Sequence, residues 1–241
     1  MKGKKKPNLE IVSLTPKKQR DKRIPEPLPI HPFSCLSIAR SFTGKTTTLI
    51  TLITRKDMGY RQKYGRNIFV FSPTATVDKL WKKTKLKPKN FIDLPDMEDR
   101  IADIMLDQQE LRENCEGWCP PILLIFDDCA DALSKGKSLL QSLFFKGRHT
   151  CNCSIILTSQ SYKSIPRSYR MNCSAMFLYR VNSGERKAIE PEMPIEPKVF
   201  RKYYKQATKD KPYHFLFINF RAPQGRQYYR NLTHNLENTM G

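Results

Sequence analysis

Apolar residues fall along this chain in short, dense runs rather than in long helical stripes. Cys35–Ala39, Asn67–Phe71, Ile122–Phe126, Ser154–Thr158, Ala175–Val181 and His214–Phe220 are rich in β-branched and aromatic residues. Runs of this kind predict strands buried on both faces, as in a parallel sheet. Most of the intervals between them carry helical spacing. Pro95-Asp96 opens one helix, with Asp96 as its N-cap and Ile101, Ile104, Met105 and Leu111 on one face. Another is expected from about Ala132 to Lys146, with Leu133, Leu140, Leu143 and Phe144 pointing inward. Strands alternating with helices predict an α/β domain with a mostly parallel sheet flanked by helices. No internal repeat is visible.

The predicted domain spans 33–221. Residues 1–32 are expected to form a basic, Pro-rich disordered tail, Lys/Arg-rich to Arg23 and then carrying Pro25, Pro27, Pro29 and Pro32. Residues 222–241 are expected to form a C-terminal tail. A chain of 241 residues supports one sizeable core.

Charge narrows the function classes. The formal net charge is +20, and positive charge on this scale points to a polyanionic partner, nucleic acid above all. It is concentrated at the ends, with +7 in residues 1–23 and +7 in 198–241. KGKKK and KKQRDKR suit a nuclear-import signal, a phosphate-binding arm or a solubilising leader, and the sequence does not separate these. The basic start is followed by Pro7, Asn8 and Glu10 rather than an apolar stretch, and Ile122–Phe126 is far too short to cross a bilayer. A soluble protein of a reducing compartment is expected, with no membrane partner. Seven cysteines occur, but no paired spacing completes a zinc set, and core or loop thiols are expected.

Residues 39–46 read A-R-S-F-T-G-K-T, directly after one predicted strand and directly before helix-like Thr47–Ile53. This fits the phosphate-binding pattern G-x-x-x-x-G-K-[ST], with Ala39 at the first position. In such a loop (Ala39, Arg40, Ser41, Phe42, Thr43, Gly44, Lys45, Thr46 and Thr47 here) backbone N–H groups wrap the phosphates, and the helix N-terminus adds its positive dipole end. Gly44 allows close backbone approach, Lys45 reaches the β- and γ-phosphates, and the Thr46 hydroxyl ligates Mg²⁺. The loop is poor in glycine: Ala39 and Phe42 stand where glycine is frequent, which points to modest affinity.

Eighty residues on, Pro121-Ile-Leu-Leu-Ile-Phe-Asp127-Asp128 supplies a buried strand ending in two carboxylates, at the edge where open α/β sheets bind ligands. Asp127 is expected to hold Mg²⁺, and Asp128 to orient or deprotonate an attacking water. The strand Ser154-Ile-Ile-Leu-Thr-Ser-Gln160 places Gln160 at a tip beside them, where it can contact both γ-phosphate and water. Together these features predict a P-loop NTPase of the RecA/ASCE type, binding ATP and Mg²⁺.

The order of phosphate loop, apolar-Asp-Asp, Lys146-Gly-Arg-His149, Ile-Leu-Thr-Ser-Gln160, Ile165-Pro166 and Arg170-Met-Asn172 resembles the FtsK/HerA superfamily. More narrowly, it is similar to the poxvirus-like genome-packaging ATPases of large DNA viruses and virophages. The resemblance covers about residues 33–182, and 146–172 is its most specific part. It implies a homo-oligomeric ring, often hexameric, that threads double-stranded DNA into a preformed capsid using ATP. Capsid or portal vertex proteins are the expected partners, and the host cytoplasm, viral factory or virion the expected location, with the nucleus left open by the basic tail. The resemblance also implies an arginine reaching the neighbour's γ-phosphate. Arg148 matches best, ahead of Arg167 and Arg170, although the end of a helix equally suits a cation that complements the dipole. Asp128 departs from the Glu usual in cellular members, and a bare motor without DNA-sorting or membrane domains is expected.

For DNA contact two basic segments stand out, Trp81–Lys89 with five lysines and Lys198–Lys211 with Tyr203 and Tyr204. A translocating motor grips phosphates without reading bases, which a lysine coating suits. The competing functions are a non-catalytic nucleic-acid-binding protein with a vestigial phosphate loop, favoured by Ala39 and Phe42, and a DNA helicase with the same ATP core.

Overall fold

Apolar side chains along each central strand divide alternately between two cores, one on each face of the sheet. In the strand Ile122–Phe126, Ile122, Leu124 and Phe126 enter one core while Leu123 and Ile125 enter the other. With both faces covered no position has to be polar, so such strands read as unbroken apolar runs. The computed structural model describes residues 20–129 and 139–238.

The described strands are β1 (Ser34–Ile38), β2 (Ile68–Phe71), β3 (Phe91–Ile92), β4 (Ile122–Phe126), β5 (Cys153–Ser159), β6 (Ala175–Leu178), β7 (Leu216–Asn219), β8 (Tyr228–Arg230) and β9 (His234–Asn235). They form one sheet in the order β3-β2-β4-β5-β1-β6-β7-β8-β9. The first six in that order pair in parallel, and β7, β8 and β9 close the sheet antiparallel. The helices are α1 (Lys45–Thr54), α2 (Tyr60–Tyr64), α3 (Met97–Asn114), α4 (Leu139–Thr150), α5 (Arg167–Met171), α6 (Ser183–Ile189) and α7 (Pro197–Thr208). Leu49 and Ile53 of α1 and Tyr60 and Tyr64 of α2 build one core. Ile101 and Ile104 of α3, Leu140 and Leu143 of α4 and Phe200 of α7 build the other. The mostly parallel, helix-flanked sheet expected from the sequence is present.

Several details differ from expectation. The run His214–Phe220 does hold a buried strand, but β7 runs antiparallel to β6, because an apolar run carries no information on direction. The tail assigned to residues 1–32 gives way to packed chain by Ile24, which is buried with Leu28 beneath α2. Tyr60 Oη donates to the Pro29 carbonyl at 2.9 Å, fixing this stretch although it forms no ladder. Part of 222–241 is not a tail either: β8 and β9 lie there, and Tyr228 and Leu236 are buried. Of the helix expected from about Ala132 to Lys146, the described part is Leu139–Thr150, running past Lys146; Ala132 and Leu133 lie outside the described residues. On α3, Ile101 and Ile104 are buried as predicted but Leu111 is exposed, and the Asp96 side chain makes no cap hydrogen bond. No helix among the described residues is long and apolar enough to cross a membrane, and no group of three or more metal-ligating side chains occurs among them.

Candidate active site

Strand order decides what can meet at the carboxyl edge. β5 lies between β1 and β4, so Gln160 at its end is flanked by the loop leaving β1 on one side and the twin aspartates leaving β4 on the other. The Ala39 N–H is bonded to the Ser159 carbonyl at 3.1 Å, extending the β1–β5 ladder to the start of the loop. Thr43 Oγ1 then donates to the Arg40 carbonyl at 2.7 Å and tightens the turn. Gly44 caps α1 at φ 90°, in the left-handed region, and an added Cβ there would stand 3.3 Å from Tyr213 Cβ. The left-handed φ favours glycine, and the Tyr213 contact leaves little room for a side chain. No side chain caps α1 and no acidic residue occupies its first turn, so its leading N–H groups are free to meet an anion.

The two halves of the site touch. Lys45, only 6% exposed, extends its ammonium to Asp128 Oδ1. Thr46 Oγ1 lies 3.3 Å from Asp127 Oδ2. Thr158 Oγ1 donates to the other Asp127 oxygen at 2.7 Å and accepts the Asp128 N–H at 3.0 Å, locking both carboxylates to β5. Thr158 shares a face of the sheet with Asp127 because both continue the alternate positions of their strands that face α1 (Ile156; Leu123 and Ile125). Burial pushes the Asp127 carboxyl up from its ordinary value, an effect the Thr158 hydroxyl and the Lys45 charge partly offset. Next along, burial raises the Cys129 thiol to about 12, and its Sγ donates to the Phe71 carbonyl, so it is an inert wall of the site.

Ser41 Oγ donates to Gln160 Oε1 at 2.9 Å, tying the loop to the strand tip expected to contact γ-phosphate and water. An open pocket of about 580 Å³ adjoins them, between Arg40–Thr43 on one side and Gln160, Arg180 and Asn182 on the other. The larger cavity, about 720 Å³ between α3 and α4, shares no residue with it. Phe42 holds φ 63° with its ring wholly in solvent. Thr47 is exposed on the first turn of α1.

Lys45, Thr46, Asp127, Asp128 and Gln160 are thus brought to one edge. Arg148 falls in the last turn of α4, where its side chain is outside the described residues. Arg170 is held within the protomer, 3.1 Å from Glu192 and stacked on Tyr162, whereas Arg167 is exposed. Sequence reasoning missed Thr158, which sat unmarked inside a strand run; only the register of β5 against β4 reveals it. It also missed Arg180 and the bond from Tyr179 Oη to Thr48 Oγ1 at 2.6 Å, which fixes α1 to β6.

Known proteins show the same arrangement at the level of fold. The genome packaging NTPase B204 of Sulfolobus turreted icosahedral virus 2, solved with AMP, superposes with a TM-score of 0.54 at 12% identity, over 78% of this chain and 93% of that one. The type VII secretion ATPase EccC of Thermomonospora curvata gives 0.54 at 12% identity, over 82% of this chain and 23% of that one. In sequence, the DNA packaging protein OPG160 of Variola virus is 27% identical over 176 residues, 69% of this chain and 60% of the relative, with the same figures for Vaccinia virus. The chain therefore spans about 60% of the length of these curated relatives. The model of the poxvirus A32 protein family matches residues 24–202, beginning at the first buried residue of the packed Pro-rich stretch. The chain belongs to the poxvirus A32 protein family.

Proposed function

We propose that this chain hydrolyses ATP to drive double-stranded DNA during viral genome packaging. The observation that carries this reading is the meeting of Lys45 and Thr46 with Asp127 and Asp128 at one sheet edge, beside an uncapped helix N-terminus. The OPG160 relatives are named DNA packaging proteins and B204 a genome packaging NTPase, and a charge of +20 suits a DNA partner.

In this reading the α1 N–H groups and Lys45 bind the phosphates, Lys45 exchanging Asp128 for the anion. The donor set fits Mg²⁺: one hydroxyl and one carboxylate oxygen, hard ligands 3.3 Å apart, are the few protein ligands such an ion takes beside phosphate. Thr46 and Asp127 would hold it, and when bound it neutralises charge on the β- and γ-phosphates. Asp128, released from Lys45, orients or deprotonates the attacking water. Gln160 would contact both water and γ-phosphate, and its bond to Ser41 would pass the change to the loop. Arg148 of a neighbouring copy completes the site in a homo-oligomeric ring, a finger worth ~10³–10⁵ in rate where it operates. The working partners would be duplex DNA and the capsid proteins it enters, in the host cytoplasm or viral factory.

Initial rates of ATP hydrolysis with and without linear duplex DNA test the proposal. Stimulation by duplex that disappears in Lys45→Ala is expected. Hydrolysis indifferent to DNA sinks translocation, strand displacement marks a helicase, and salt-dependent DNA binding without nucleotide binding marks a vestigial loop. Doping wild type with Arg148→Ala is expected to reduce the rate more steeply than the mutant fraction; strict proportionality removes the shared site.

A further inference from the structure

Between Lys79 and Lys89 the chain holds six lysines and no carboxylate. All six, Lys79, Lys82, Lys83, Lys85, Lys87 and Lys89, are exposed, and none takes part in an ion pair among the described residues. A solvated charge run is usually loose. This one is pinned. Trp81 is 1% exposed and lies in the same core as Leu49, Leu52 and Ile53 of α1. Thr84 Oγ1 donates to the Trp81 carbonyl at 2.7 Å and accepts the Leu86 N–H at 3.3 Å. Asn90, also buried, donates through Nδ2 to the Arg66 and Ile68 carbonyls at 3.0 and 2.8 Å, fastening the far end to the start of β2. Polar and aromatic side chains turn inward and hold the backbone, while the lysines turn outward.

The other basic segment is built differently. On α7 Arg201 is paired with Glu190 at the end of α6, Asp210 takes Arg230, and Tyr203 and Tyr204 are buried. Its charge is partly spent inside the protein.

We propose that the Lys79–Lys89 segment is the surface that grips the phosphate backbone of duplex DNA. This rests on the DNA-translocation reading above and adds where the duplex sits. The chemistry fits a sequence-indifferent grip: lysine is a point charge that neutralises phosphate, and the segment exposes no Arg, Asn or Gln to read base edges. Because Trp81 packs on the helix that begins at Lys45, the same rigid piece that meets the nucleotide phosphates carries the DNA grip.

The test measures affinity for a 40-base-pair duplex against salt concentration by fluorescence anisotropy, using the full chain. Each phosphate contact contributes about 0.9 to the slope of log affinity against log salt. The triple variant Lys82→Ala, Lys83→Ala, Lys87→Ala is expected to lower that slope by about 2–3, with nucleotide binding and the thermal transition as in wild type. The charge-matched control Lys198→Ala, Lys205→Ala, Lys209→Ala is expected to change it by less than about 1. Single Lys83→Gln and Lys87→Gln variants, each lowering the slope by up to about 1, carry the test should the triple variant fold poorly. An equal loss in both triples would overturn the proposal in favour of a diffuse coating. So would an unchanged slope in the Lys82 triple, or a loss confined to polyglutamate binding with duplex binding intact, which would mark an acidic-protein dock. Wild type that binds no duplex at low salt removes the DNA reading and this surface with it. Wild type that binds while the Lys82 triple is unaffected removes only the surface.

Discussion

The two ends of β5 carry hydrogen-bond networks of similar size and opposite character. At the amino end Ser154 Oγ accepts from the Phe33 N–H at 3.1 Å and from Tyr64 Oη at 2.8 Å, and lies 2.8 Å from His31 Nδ1; His31 Nε2 lies 2.8 Å from Asn152 Oδ1. Its members are hydroxyl, amide and imidazole groups that satisfy one another, with Ser154 fully buried. At the carboxyl end Thr158 engages Asp127 and Asp128, and Lys45 closes the group. What distinguishes this end is charge: an ammonium and two carboxyl groups, Lys45, Asp127 and Asp128, stand in one network. A network of hydroxyl, amide and imidazole groups stabilises the fold. One built on an ammonium and two carboxyl groups holds capacity in reserve for a ligand.

That contrast can be broken by exchanging what each end responds to. Asp128→Asn should cut the turnover number by ~10²–10⁴, the range of a lost general base, with the melting temperature unchanged or higher; a normal rate would deny Asp128 any part in chemistry. Ser154→Ala should do the reverse. It strands the Phe33 N–H, while Tyr64 Oη keeps His31 Nδ1 at 3.3 Å, and should cost about 1–3 kcal/mol in denaturant unfolding, with the turnover of folded protein intact. A variant that unfolds normally but loses activity would mean the amino-end network is not merely structural.

Asp127 sharpens the comparison through pH. Burial raises its folded-state pKa above the ordinary 3.8. The folded protein therefore holds this proton more tightly than the unfolded chain. The stability it contributes is complete below about 3.8 and is lost as pH rises through the raised value. At neutral pH its charge is a burden on the nucleotide-free protein. Asp127→Asn should raise the melting temperature at neutral pH, by about 2–4 °C for each kcal/mol recovered, flatten this part of the pH profile, and abolish stabilisation by Mg²⁺-nucleotide. No gain at neutral pH would show the offsetting bonds to Thr158 and Lys45 to be complete. The smallest effect belongs to Phe42→Gly, which removes a bulky residue from the left-handed region and should stabilise by about 0.5–1 kcal/mol in thermal unfolding. A loss of stability there would mean the ring has a partner in the assembled protein.

Legibility in the sequence followed the same divide. Lys45, Thr46, Asp127 and Asp128 were visible because phosphate chemistry demands those residue types in that order, and the apolar runs marked six strands because both faces of each are covered. Thr158 was not visible: its importance comes from which strand lies alongside, and strand order is not a local property. The direction of β7 was hidden for the same reason. β8 and β9 are too short, and too rich in polar residues, to stand out, and the packed stretch from Ile24 follows from long-range contacts by isolated residues between prolines. In each case the missing information was a tertiary neighbour.

Ser154 and Thr158 are four residues apart on one strand, so they share a face and stand about 13 Å from each other. Adding or deleting a single residue between them would turn one of the two away from its partners, whatever residue was chosen. The segment thus acts as a spacer of fixed count: it should accept changes of side chain at Ile155 and Leu157 far more readily than any change of length.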